Sequence, residues 1–166
     1  MKKLTLTLIL LFFSISAFSE PARVETNNFT FELPHGWKIT ELSSKAKISG
    51  PNNEFLILSA SNITGEGNKS KLNSIKEKLG KKIENILKSG ANDPALKITS
   101  PLKKEISKKG YAIWSIRTET KDGTIFFDQY GTIGIKAIVL ITIEGKLKNK
   151  SSSNVVLNAV RKIKWQ

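Results

Sequence analysis

Apolar and polar residues alternate over residues 29–33, the two-residue period of a strand with one buried face. Pro34-His35-Gly36 ends that run as a turn, because Pro holds φ near one value and Gly tolerates a positive one. Residues 37–42 and 45–49 read as two more strands, Gly50-Pro51-Asn52-Asn53 as a turn, and 54–63 as a fourth strand. The period then changes. Leu72, Ile75, Leu79, Ile83, Ile86 and Leu87 fall three and four residues apart, one apolar stripe on a helix whose other faces carry Lys71, Lys76, Lys78, Lys81, Lys82 and Lys88. Gly90 stands where a C-terminal cap belongs, and Asp93-Pro94 cannot continue the helix.

Strand periodicity returns after the helix. Residues 96–106, interrupted by Pro101, read as an irregular or edge strand. Residues 111–120 alternate well, and Lys121-Asp122-Gly123 forms a hairpin turn in which Asp-Gly is expected to take two positive φ values. Residues 124–133 run back, Gly134 turns, and 135–144 form the most buried strand. Ser151, Ser152 and Ser153 offer N-caps for a closing helix with Val156, Leu157, Val160 and Ile163 inward. The order is therefore ββββ-α-ββββ-α. Short connections imply a mostly antiparallel sheet covered by two amphipathic helices, an α+β sandwich.

The N-terminus has its own pattern. Lys2 and Lys3 precede an apolar run over residues 4–13, and Ala17-Phe18-Ser19 supplies small residues for cleavage. That layout predicts a cleavable signal peptide over residues 1–19, and a single domain over 20–166 that is periplasmic or secreted. The apolar run is short of the roughly 20 residues a membrane span needs. There is no Cys, which excludes disulfides, thiolate metal sites and a cysteine nucleophile.

Lys and Arg number 27 against 14 Asp and Glu, so the formal charge is +13, falling to +11 once Lys2 and Lys3 are removed. Such a field favours anionic partners: an acidic protein, anionic lipid or polysaccharide. Nucleic acid is not expected. Phe126, Phe127 and Tyr130 are the nearest aromatic group for base stacking, but alternation separates Phe126 from Phe127, and an exported protein meets little nucleic acid.

Catalytic patterns are not found. His35 is the only histidine, and it lies within a turn. Glu32, Glu41, Glu119, Asp122 and Asp128 are the candidate carboxylates, with no spacing that marks an acid–base pair or a calcium loop. Gly65-Glu66-Gly67-Asn68-Lys69-Ser70 lacks the Gly that must precede the Lys of a phosphate loop. A casual anion could still meet Lys69 and Lys71 there. No cofactor, metal or catalytic residue is expected.

Phe31-Glu32-Leu33-Pro34-His35-Gly36-Trp37, at the start of this element order, resembles the Mog1/PsbP-like superfamily, many of whose bacterial members open with an apolar residue, Pro, any residue, Gly and Trp. The resemblance implies a structural role for Pro34, Gly36 and Trp37, the turn seating the Trp on the core. It also implies binding rather than catalysis, since members of that superfamily include photosystem accessory subunits, adaptors and periplasmic immunity proteins. The expected function is a non-enzymatic periplasmic protein-binding domain, in an immunity or accessory role, with an acidic partner. The alternative is an envelope-surface binder of anionic lipid or polysaccharide. Lys78, Lys81, Lys82 and Lys88, on the Lys-rich helix, are the expected partner-binding residues.

Overall fold

The computed structural model describes residues 21–63 and 69–166. The expected signal peptide at 1–19 and the Gly65–Asn68 loop lie outside these residues, as do the side chains of Lys69 and Lys71.

Among the described residues ten strands and two α-helices follow one another in the order β1 (Arg23–Glu25), β2 (Phe29–Glu32), β3 (Lys38–Leu42), β4 (Lys45–Ser49), β5 (Phe55–Asn62), α1 (Lys69–Ala91), β6 (Leu96–Ile106), β7 (Ala112–Thr120), β8 (Ile125–Ile133), β9 (Ala137–Lys146), α2 (Ser152–Val160) and β10 (Lys164–Trp165). The fold is α+β, with two antiparallel sheets. The larger has seven strands in the order β3-β4-β5-β9-β8-β7-β6. Helix α1 carries the chain from β5, inside this sheet, to β6 at its far edge, and it packs on β6, β7 and β8. The smaller sheet has the order β1-β2-β10 and, with α2, covers the opposite face.

Two cores result from the alternation along the large sheet. Ile113, Phe126, Tyr130, Val139, Ile141 and Ile143 point to the small sheet and α2, where Phe29, Phe31, Val156, Val160 and Ile163 meet them. Trp114, Ile116 and Ile133 point the other way, to Ile83 and Leu87 of α1. Both faces of the central strands are thus buried, and burying a side chain of this size contributes about 1.5–3 kcal/mol.

β6 is an edge strand with register shifts between Ile98 and Ser100 and between Ser100 and Lys103, the second spanning Pro101. Several local expectations are corrected. β1 and β10 have too few residues to show a period and exist by pairing with β2. Gly90 does not cap α1 but lies in its last turn, where a Cβ would stand 2.9 Å from Nε2 of Gln129. In the β7–β8 hairpin only Gly123 has positive φ, at 72°, and Asp122 instead accepts the Thr124 N–H at 3.0 Å. Ser151 is the N-cap residue of α2 but makes no side-chain cap bond. Ser152 turns to Glu54 and Ser153 to Tyr130. Ile135, expected within the most buried strand, lies in the β8–β9 turn and is 54% exposed.

Candidate functional site

A groove of about 860 Å³ opens where α1, the β6–β7 hairpin, the β8–β9 turn and β10 come together. Its volume is within the range of ligand-binding clefts. From α1 come Lys76, Glu77, Gly80, Lys81 and Glu84, and from the β6–β7 hairpin Lys104, Ile106, Lys109 and Trp114. Ile133, Gly134 and Ile135 supply the β8–β9 side, and Lys164 and Trp165 the β10 side.

Two tryptophans shape the groove. Trp114 faces α1, and Gly80 lets the helix approach: a Cβ there would lie 3.0 Å from Cζ2 of the indole. The Trp114 Nε1–H donates to Oε1 of Glu84 at 2.9 Å, while Lys104, opposite it on β6, holds Nζ 5.2 Å from the ring centroid. Trp165 meets Tyr111 edge-on, with centroids 5.8 Å apart, and lies against Phe29 at 5.9 Å. Apolar surface remains at the rim, where Ile106 is 64% exposed and Ile135 is exposed as well.

The charge is one-sided. Five lysines line the groove against two glutamates. Both glutamates are engaged, Glu77 with Lys81 at 3.5 Å and Glu84 with the Trp114 indole. Lys109 donates to the Lys162 carbonyl at 3.3 Å, and Lys164 pairs with Glu32 at the small sheet. That pairing, by hydrogen bond and by charge, holds the Glu32 carboxyl below its ordinary range.

The four lysines singled out on the helix separate in space. Lys81 lines the groove. Lys82 stands at a smaller notch of about 170 Å³ with Ser59, Ser61, Ile86, Ile138 and Leu140. Lys78 and Lys88 are exposed and line neither. Pro34 accepts the Trp37 N–H at 3.1 Å, Gly36 has φ of 83°, and Trp37 is 5% exposed within the main core. His35 is exposed at the turn.

The candidate carboxylates are dispersed, each with its own partner. Glu41 pairs with Lys47 at 2.6 Å and Glu119 with Lys97 at 3.9 Å, while Asp122 holds its hairpin turn. Asp128 is buried and takes two hydrogen bonds from Arg117, at 2.7 and 2.6 Å. Among the described residues no group of three or more His, Asp or Glu could hold a metal ion. The aromatic trio offers no open stacking surface: Phe126 and Tyr130 are buried and Phe127 is half-buried. No helix among the described residues is long and apolar enough to cross a membrane.

One buried carboxylate carried no sequence signal. Glu54 is 1% exposed and accepts the Asn52 N–H at 2.8 Å, the Asn52 amide at 3.1 Å and the Ser152 hydroxyl. Burial pushes its pKa up, and these bonds together outweigh burial, leaving the carboxyl below its ordinary range.

No family model and no curated protein matches the chain in sequence. Solved structures do match it in shape. Cyanobacterial PsbP (CyanoP) from Synechocystis sp. PCC 6803 aligns over 91% of this chain and 96% of its own, with a TM-score of 0.57 and 8% identity. LpqN, involved in cell envelope biogenesis of Mycobacterium tuberculosis, aligns over 90% of this chain and 87% of its own, with a TM-score of 0.61 and 12% identity. The chain has the Mog1/PsbP-like fold. At these identities the likeness concerns the fold alone, and function must be argued from the site. Within this Mog1/PsbP-like sandwich the groove lies on the α1 side, at the end where β10 joins β2.

Proposed function

We propose that the chain is an exported, non-catalytic binding domain that recognises another protein through this groove, in an accessory or immunity role. The observation that carries the reading is the rim, where exposed Ile106 and Ile135 stand among five lysines. Exposed apolar side chains beside a polar rim are the anatomy of a recognition surface. The carboxylates that acid–base chemistry would need are dispersed among separate ion pairs and turns. The basic, apolar, then small-residue N-terminus supports export, and the description of LpqN as an envelope-biogenesis protein is in keeping with it.

The excess of lysine favours a second reading, attachment to anionic lipid or polysaccharide by charge alone. Salt separates the two, because exposed charges are screened beyond about 8 Å at physiological ionic strength. The test places a photo-crosslinking amino acid at Ile135, and as a control at Leu42, 65% exposed on the opposite edge strand β3. One protein captured from position 135 and not from 42, and still captured when irradiation is carried out at high salt, is the expected result. Crosslinks to lipid or polysaccharide alone, lost when irradiation is carried out at high salt, overturn protein recognition in favour of the second reading.

A further inference from the structure

The distribution of charge around the groove says more about its occupant. The five ammonium groups come from separate places: Lys76 and Lys81 on α1, Lys104 on β6, Lys109 in the β6–β7 turn and Lys164 on β10. They surround the groove rather than converge on one point. A single anionic headgroup would satisfy one or two of them. A chain bearing several carboxylates can meet them in succession. The apolar surface is likewise not a closed pocket for an acyl tail, because Ile106 and Ile135 stand open at the rim. An aliphatic or aromatic side chain of a partner can bury there, which supplies an attraction that salt does not weaken.

We infer that the groove takes a short acidic segment of a partner protein, its carboxylates laid along the lysines and one apolar anchor side chain seated against Ile106, Ile135 and Trp165. This rests on the protein-recognition reading and names the chemistry of what is recognised. Glu77 and Glu84 offset part of the attraction, Glu77 by pairing with Lys81, and Lys164 is engaged by Glu32, but five lysines against two glutamates leave the lining net positive. That net positive lining sets the sign of the partner, and the apolar rim sets its register.

The experiment pans a random displayed peptide library on the full chain, then measures the enriched peptides, fluorescein-labelled, by anisotropy. The expected winners carry Asp and Glu around a single Leu, Ile, Phe or Trp. Lys104→Glu with Lys109→Glu should weaken them about tenfold or more at low salt, since two exposed attractions become repulsions. Ile135→Asp should weaken them similarly, and Lys78→Glu, away from the groove, by less than twofold. Melting midpoints matching the parent establish that each variant is folded. Peptides without the acidic and apolar pattern, or winners that bind the groove variants as tightly as the parent, overturn the inference. Phosphatidylglycerol vesicles that bind through Ile135 and displace the peptides also overturn it, assigning the groove to lipid. If peptides fail while position 135 still crosslinks a protein, only the acidic segment falls; if 135 captures no protein, the recognition reading falls with it.

Discussion

Gly134 and Trp165 are so closely packed that a methyl group on Gly134 would overlap the indole ring. The β8–β9 turn and β10 are thereby locked together at the groove. Gly134→Ala must therefore displace Trp165, and with it the short β10 pairing to Phe29 and Thr30. Overpacking of this kind costs about 1–3 kcal/mol. Urea unfolding should show that loss, and indole fluorescence should shift to the red in the folded variant. An unchanged midpoint and spectrum would mean that the turn adjusts and Trp165 is not fixed by it.

Glu54 predicts an acid-dependent loss of stability. Its folded-state pKa lies below the ordinary 4.5, so its contribution is fully present above that value and is lost as pH falls through the folded one. Glu54→Gln cannot accept the same set of bonds from Asn52 and Ser152, and should lower stability by about 1–3 kcal/mol at neutral pH. The gap between parent and variant should narrow as the parent is acidified below pH 4.5. Denaturant midpoints of both proteins across that range check this, and a pH-independent gap would reject the assignment.

Strand and helix periods were legible where elements were long. The two-residue alternation located β7 and β8, and the three- and four-residue spacing of Leu79, Ile83, Ile86 and Leu87 located α1. β1 and β10 were not legible, because Val24 and Trp165 acquire strand geometry only from contact with β2. Asp122-Gly123 marked a turn but not its type, since Asp122 uses its side chain to hold Thr124 and needs no positive φ. The groove was least legible. Gly80, Trp114, Gly134 and Trp165 are far apart in the chain, and only the packing of α1 and β10 against the seven-stranded sheet brings them together. Helical spacing put Lys81 and Lys82 on different faces without saying which one a groove adjoins. Ile135 could have raised suspicion, as an apolar residue between Gly134 and Lys136 is well placed in a turn.

Arg117 and Asp128 face one another across β7 and β8 with paired hydrogen bonds, and the guanidinium carbon stands 5.5 Å from the Phe126 centroid. Hydrogen bonding to the Asp128 carboxylate is the main cause that raises the Arg117 pKa, with the Asp128 charge adding to it. Asp128→Ala leaves a largely buried guanidinium unpaired and should cost about 3–5 kcal/mol. Replacing both residues, Arg117→Met with Asp128→Leu, should recover most of that loss, because the buried charge disappears with its partner. Thermal or urea unfolding of the single and double variants decides it. A double variant as unstable as the single would mean that the pair is needed for packing and not for charge balance.

The helix lysines supply the sharpest test of where recognition occurs. Lys81 lines the groove, Lys82 stands at the notch by Ser59 and Ser61, and Lys78 and Lys88 adjoin neither. All four add equally to net charge. Charge reversal at each, one at a time, therefore holds the overall field constant while moving the site of the change. If recognition is local, Lys81→Glu should weaken an acidic probe peptide by about threefold to fivefold, the worth of one exposed ion pair reversed. The same change at Lys78 or Lys88 should have an effect near the error of the measurement. Raising salt should erase the difference between Lys81→Glu and the parent, since its origin is a screened charge. Equal losses at all four positions would instead show that the probe responds to total charge, and the groove would have no special part in binding it.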